Sequence, residues 1–357
     1  MNSDFRVLLV YPNGMLLNPP PVAFGIFTGL LKREGYKVEL FDGTLYPNQS
    51  YYHYEAKNRN LNVRPFSYDG TDLHMKTTNE QEDFKKLIEG YKPNLILISM
   101  LETVYRKAML LLDVLKNNNY DIPVMAGGVL PTHDPLSCLK HDAIDMVCMG
   151  EGNECILHVC KKLANGEDYH QAPNLAYIKD GKLHKNKFAD PADLDEEPIP
   201  DYDLFENSRF LRPMAGKVYN MIPIETNRGC PYKCTFCNSP AALHQYKEET
   251  TGNFLRKKSK DRLEKEIKQL VSKYNGQYIY FTSDTFMLFN DKEFDEFIEL
   301  YTGIQVPFYM QTRPETVRLD RMKKLKEVGL RRMSMGLEHG NKEFRTKLLK
   351  KPFKNEL

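Results

Sequence analysis

Short apolar, β-branched runs alternate along the first half of the chain with segments of helical period. FRVLLVYP, KVELFDG, PNLILISM, IPVMAGGVL and DMVCMGEG each have strand length. Between them AFGIFTGLLKREG, an acidic-basic stretch near 80–90, VYRKAMLLLDVLKN, a short segment through Leu139 and residues 153–164 read as helices. Five strands each followed by a helix predict a parallel sheet covered on both faces, a doubly wound α/β domain over residues 1–165. Residues 45–79, rich in Tyr and Asn and without periodicity, interrupt that rhythm as a surface loop or lid.

PNLAYIKDGKLHKNKF reads as a hairpin around an Asp-Gly turn. The acidic, proline-rich ADPADLDEEPIPDYDLF after it suits neither a helix nor an inner strand, so residues 166–215 are expected to join two domains. The βα rhythm resumes in VYNMIPIET, DRLEKEIKQLVSKY, GQYIYFTSD, DKEFDEFIELY, VPFYMQT, a helix through Val328 and RRMSMGLEHG. Four βα units do not close a barrel. Residues 216–357 are therefore expected to form a partial (β/α) barrel, truncated at its C-terminal end.

Composition narrows the partners. The 50 basic and 48 acidic residues leave a net charge of +2, which singles out neither nucleic acid nor an anionic membrane. The first residues enter an apolar strand without the basic and long apolar regions of an export signal, and no apolar run reaches the roughly 18 residues of a membrane span. A cytoplasmic chain with reduced thiols is expected. Of the seven cysteines, those at 138, 148, 155 and 160 sit among apolar neighbours as small core residues.

The remaining three are spaced for chemistry. ETNRGCPYKCTFCNSP places Cys230, Cys234 and Cys237 at C-x3-C-x2-C directly after a predicted strand. Three thiolates on one tight loop hold three irons of a 4Fe-4S cubane and leave the fourth open to a ligand. Gly229 permits the turn into the loop, Pro231 stiffens it and Phe236 offers an apolar wall. A zinc site completed by His244 is the alternative, although structural zinc sites usually pair C-x2-C with a second pair farther on. Polar groups follow the later strands too: Asp284 after YIYFTS, Gln311 and Arg313 after VPFYM, and Glu338 with His339 after MSMGL. In a β/α barrel such strand ends face one mouth.

The cysteine spacing, the aromatic before the third cysteine and the strand-loop-helix context resemble the radical S-adenosylmethionine enzymes. That resemblance implies adenosylmethionine chelating the open iron, and one electron from the cluster breaking its sulfur-carbon bond to release a 5'-deoxyadenosyl radical. It also implies a one-electron reductant such as flavodoxin or ferredoxin and a small-molecule substrate. By the same resemblance Asp284 and Gln311 lie near adenosylmethionine, Arg313 meets its carboxylate and Glu338 touches its ribose or amino group; for Arg313 a salt bridge with Glu315 or Asp284 is the alternative.

An open parallel sheet binds ligands at the carboxyl ends of its strands, near the switch in strand order. Those ends here include Ser99, the tandem Gly127 and Gly128, and Gly150 with Glu151. An α/β domain joined by such a linker to a cysteine-loop barrel is similar to the cobalamin-binding class of radical enzymes, and MAGGVLPTHDP and MGEGNE match that class's fourth and fifth strand ends. The class's D-x-H-x-x-G pattern falls on DGTLYP, with Thr44 at the His position and Pro47 at the last Gly. Cobalamin is therefore expected without a His ligand from this loop. Methylation or other C–H functionalisation is the implied activity. A cobalamin-dependent radical cyclase or rearrangement enzyme, and an inactive fragment or zinc-stabilised binding module, stay open.

Overall fold

The computed structural model describes residues 4–355 except 15, 17, 48–55, 57–58 and 61–62. Two compact units emerge. The first comprises residues up to Ala192 with Pro198–Arg209 and Pro213–Val218; the second comprises Asp193–Glu197, Phe210–Arg212 and the chain from Tyr219.

In the first unit, β1 (Arg6–Tyr11), β2 (Lys37–Asp42), β3 (Leu95–Ser99), β4 (Val124–Gly127) and β5 (Met146–Cys148) pair in parallel in the order β2-β1-β3-β4-β5. The inner strands are buried almost throughout, which is why RVLLVY and LILIS read as continuous apolar runs. The helices that alternate with them are α1 (Val22–Arg33), α2 (Glu80–Tyr91), α3 (Tyr105–Asn117), α4 (Val129–His133), α5 (Pro135–Leu139) and α6 (Asn153–Ala164). Asn79 caps α2 by accepting from the amides of Gln81 and Glu82.

The hairpin does more than join domains. Its strands β6 (Leu175–Lys179) and β7 (Lys182–Lys185) extend the same sheet, β6 running antiparallel to β5, so the sheet has seven strands. Asp180 and Gly181 both take positive φ at the turn, the geometry that makes Asp-Gly a hairpin signal. Of the expected insertion at 45–79, the positions named above lie outside the described residues; residues 63–79 form turns and bends without helix or strand.

The second unit holds a five-stranded sheet made of β8 (Leu211–Met214), β9 (Lys217–Ile224), β12 (Tyr278–Phe281), β13 (Phe308–Thr312) and β14 (Leu330–Met335), ordered β14-β13-β12-β9-β8. The pairs β9·β12, β12·β13 and β13·β14 are parallel. Its helices are α7 (Ser239–Glu249), α8 (Lys260–Lys273), α9 (Asp291–Thr302), α10 (Leu319–Val328) and α11 (Lys342–Lys347), and a two-residue ladder joins β10 (Asn227–Arg228) to β11 (Arg256–Lys257). A capping box between Asn290 and Glu293 starts α9. Phe281, Phe286, Phe297, Tyr301 and Phe308 pack mostly edge-to-face and fix β12 and β13 against α9.

Part of the acidic segment folds with this unit. Asp195 accepts from the Ser259 amide at 2.9 Å, and Glu197 takes both terminal nitrogens of Arg228 at 3.0 Å. A buried carboxylate needs such a partner, and Glu197 of the linker finds it in a second-unit arginine.

Candidate functional site

The cysteine loop leaves β9 at Ile224 and enters α7 at Ser239. Its start is bound to the neighbouring strand end: the Thr226 amide donates to Ser283 Oγ at 2.9 Å, and the Gly229 amide donates to Asp284 Oδ2 at 3.0 Å. Gly229 has φ +91°, and a Cβ there would stand 2.6 Å from the Phe254 carbonyl oxygen, so the position admits only glycine without rearrangement. The loop's outer half is held from far along the chain. Thr235 donates its amide to Leu349 O at 3.2 Å and its hydroxyl to Leu348 O at 2.7 Å.

Each cysteine sulfur has a polar neighbour. Half-buried Cys230 lies 3.7 Å from Thr285 Oγ1, buried Cys234 accepts from Arg313 Nη1 at 2.9 Å, and exposed Cys237 accepts from the Ser239 amide at the start of α7 at 3.4 Å. A guanidinium, a helix N-terminus and a hydroxyl thus place a polar group at each sulfur, the atom through which cysteine binds iron. Burial pushes the Cys230 thiol up and the nearby Asp284 carboxylate adds to the rise, with the Tyr232 amide, Thr285 and Arg313 opposing. The donor set fits an iron-sulfur cluster. His244, the fourth ligand that a zinc site would need, lies on α7 paired with Glu248 at 3.2 Å; among the described residues no three His, Cys, Asp or Glu side chains, the three cysteines included, are gathered around a single metal position.

The other expected site residues take varied places. Asp284 is bound to the loop as described; burial of its carboxyl, with Glu225 adding, raises it above the usual carboxylate range, while the Gly229 amide and Arg228 oppose. Gln311 donates to the Tyr280 hydroxyl at 2.8 Å. Arg313, 6% exposed, is occupied by Cys234, by Glu315 Oε1 at 2.7 Å from Nε, and by the Tyr232 ring, whose centroid lies 3.7 Å from the guanidinium carbon. Glu338, at φ +63°, pairs with the buried Lys351 at 3.0 Å and borders an open groove of about 630 Å³ with Pro314, Met335, Leu337 and His339. Phe236 stands 53% exposed beside the cysteines. Of the two salt-bridge partners open to Arg313 in the sequence, Glu315 is the one it meets; sequence reasoning missed α7, whose Ser-Pro start was a legible signal, and the contacts of Thr235 and of Arg313 with Cys234, which no local pattern encodes.

In the first unit Ser99, Gly127, Gly128 and Gly150 surround one cavity of about 170 Å³, closed by Phe24 and Phe27 among others. Gly128 has φ +114° and lies against Met100, whose carbonyl oxygen would be 2.7 Å from a Cβ; at Gly127 a Cβ would meet nothing within 4 Å. The two glycines thus differ: one is required by the backbone, the other keeps the cavity wall thin. Glu151 is not part of this wall, and its carboxylate accepts from the Ala192 amide at 3.0 Å. Apolar walls and a rim of small residues suit a flat, largely apolar group entering at the strand ends.

Thr44 is buried after β2. Its hydroxyl donates to Asp42 Oδ1 at 2.5 Å and accepts from Asn13 Nδ2 at 2.9 Å, while Arg209 holds the other Asp42 oxygen at 2.6 Å. Lys107 reaches the carbonyls of Asn13 and Gly43 at 3.0 and 2.6 Å. The cysteines at 138, 148, 155 and 160 are all buried, and burial pushes the Cys138 thiol up to about 11.

Comparison with known proteins gives one family match within each unit. Residues 224–356 match the Radical SAM superfamily and residues 55–159 match the B12 binding domain. An uncharacterized methyltransferase of Pyrococcus horikoshii is 27% identical over 260 residues, covering 72% of this chain and 54% of that protein. The anaerobic magnesium-protoporphyrin IX monomethyl ester cyclase of Rubrivivax gelatinosus is 23% identical over 349 residues, covering 93% of this chain and 55% of the cyclase. The chain thus spans about half the length of these curated relatives. Two solved structures share the fold: the cobalamin-dependent S-adenosylmethionine radical enzyme OxsB, at TM-score 0.68 and 18% identity over 98% of this chain and 46% of that one, and the radical S-adenosylmethionine methyltransferase TsrM of Kitasatospora setae, at 0.67 and 15% over 95% and 60%. No helix among the described residues is long and apolar enough to cross a membrane. The cysteine loop and its parallel sheet thus lie in the region that matches the Radical SAM superfamily, and the doubly wound unit that precedes them holds the region that matches the B12 binding domain.

Proposed function

We propose that this chain holds a 4Fe-4S cluster on Cys230, Cys234 and Cys237 and cobalamin on its first unit, and that it methylates a small-molecule substrate. The observation that carries the reading is a C-x3-C-x2-C loop at the carboxyl end of the first parallel strand, with a hydrogen-bonding neighbour at every sulfur. When bound, the cluster and adenosylmethionine supply a 5'-deoxyadenosyl radical, and cobalamin supplies a methyl carrier. The protein's part is positional. Asp284 and Gly229 fix the entry to the loop, Leu348 and Leu349 fix its outer half, and the groove beside Glu338 offers room for adenosylmethionine and substrate.

The wall formed by Ser99, Gly127, Gly128 and Gly150 supports binding of the lower, nucleotide end of cobalamin. Thr44 stands where an imidazole ligand to cobalt is expected, and its hydroxyl is already engaged by Asp42 and Asn13. Bound cobalamin accordingly has no His ligand from this loop. Methyl transfer is favoured over cyclisation by the methyltransferase relative with the highest identity of the two above and by the methyltransferase among the structural neighbours. Flavodoxin or ferredoxin is the fitting class of electron donor, and reduced thiols with such a donor fit a cytoplasmic setting.

Anaerobic reconstitution with iron and sulfide tests the core of the reading. About four irons per chain, and 5'-deoxyadenosine released from adenosylmethionine after reduction with dithionite, are expected. Stoichiometric zinc with no iron uptake refutes it.

A further inference from the structure

We infer that Arg313 is a positioning residue for the cluster, setting its reduction potential through Cys234, and not a ligand for the adenosylmethionine carboxylate. The inference rests on the cluster assignment above and goes beyond it.

The geometry leaves the guanidinium little freedom. Nη1 donates to Cys234 Sγ at 2.9 Å, Nε donates to Glu315 Oε1 at 2.7 Å, Nη2 reaches the same carboxylate oxygen, and the plane lies over the Tyr232 ring. Tyr232 and Cys234 belong to the loop itself, so the arginine is stacked on one loop residue while bonded to another. Arg313 and Cys234 are both only 6% exposed. An arginine that bound a ligand carboxylate would present its two-nitrogen fork to open space. This fork is spent on Glu315.

The electrostatic consequence has a definite sign. Adding one electron to a cluster increases the negative charge shared by its thiolates. A buried cation bonded to one of those thiolates lowers the free energy of the reduced state more than that of the oxidised state, because water screens it little. Hydrogen bonds to sulfur and local charge are among the factors that set cluster potentials. Glu315 moderates the effect without cancelling it, since its carboxylate bonds the guanidinium and not the sulfur. Arg313 therefore makes the cluster easier to reduce, by whichever low-potential one-electron donor serves it.

The test is an electron paramagnetic resonance redox titration of the reconstituted full chain without adenosylmethionine, comparing wild type, Arg313→Gln and Arg313→Lys at measured iron and sulfide content. At full iron content, Arg313→Gln should reduce at lower potential by about tenfold in the one-electron equilibrium, about 59 mV. Arg313→Lys, which keeps the charge and loses the fork, should fall between. An unmoved potential at full iron content, with weakened adenosylmethionine binding by equilibrium dialysis, overturns the inference and restores Arg313 to the carboxylate. Should Arg313→Gln take up no iron, Arg313→Lys decides alone: a lowered potential supports the inference and an unchanged one overturns it. Failure of the wild type itself to take up iron is a different result, since it removes the cluster assignment.

Discussion

The amide of Gly229 donates to the carboxylate of Asp284 at 3.0 Å, tying the residue before the first cysteine to the end of the adjacent parallel strand. Asp284→Ala removes the acceptor and should cost about 1 kcal/mol, water replacing part of the bond at this exposed edge. Asp284→Asn keeps an oxygen in place. Iron per chain after reconstitution should fall in the alanine variant and hold in the asparagine variant; equal loss in both would assign Asp284 a role that depends on its charge.

The two cavity glycines should separate folding from binding. Gly128→Ala forces a side chain into a positive-φ position against the Met100 carbonyl, with an expected cost of about 1–3 kcal/mol in hydrogen-exchange stability of β3 and β4. Gly127→Leu meets no protein atom at its Cβ, so the sheet should keep its stability within about 1 kcal/mol while the added bulk narrows the cavity. Retention of hydroxocobalamin on gel filtration should drop in Gly127→Leu. Full retention would move the cofactor's tail elsewhere.

The Thr44 position makes a spectroscopic prediction. Cobalamin bound to the chain and reduced to Co(II) should show no nitrogen superhyperfine splitting, because Thr44, bonded to Asp42 and Asn13, has no imidazole to offer. A resolved nitrogen triplet would mean that another histidine or the nucleotide base is coordinated.

Glu80 should give the first unit a pH-dependent stability. Burial pushes its carboxyl above the usual carboxylate range, outweighing the Lys107 ammonium 3.0 Å away, and nearby Asp42 adds to the rise. A carboxyl raised on folding contributes stability that is complete below its unfolded value and is lost as pH rises through its folded value. Glu80→Gln does not titrate. Measured by hydrogen exchange in β1 and β3, the variant should gain on wild type as pH rises from about 4 to about 7. A gain by wild type over that interval would show the Lys107 pair dominating.

Local patterns carried most of the fold. Continuous apolar runs marked β1 and β3 as inner parallel strands, Asp180-Gly181 marked a hairpin, and the cysteine spacing marked the loop between β9 and α7. What the hairpin would pair with was not legible, because partner choice depends on which sheet edge stands free; it joined β5. The candidate site was legible where residue type alone decides, as at Gly128, and illegible where contacts cross long stretches of chain. Arg313 and Cys234 are 79 positions apart, and Arg209 meets Asp42 across 167. Glu151 looked like part of a strand-end pocket and serves the Ala192 amide, since a carboxylate at a turn is equally suited to bonding nearby backbone.

The two bonds from Thr235 to Leu348 and Leu349 span 113 or more residues, and they make the cysteine loop and the segment after α11 thermodynamic partners. Coupling of this kind is reciprocal: a metal centre that orders the loop must, by the same factor, disfavour the open state of the distant segment at equilibrium, and any binder that seats the segment must tighten the centre. Amide exchange at residue 235, whose proton sits in one of those bonds, is thus a reporter of cofactor loading that needs neither turnover nor a known substrate.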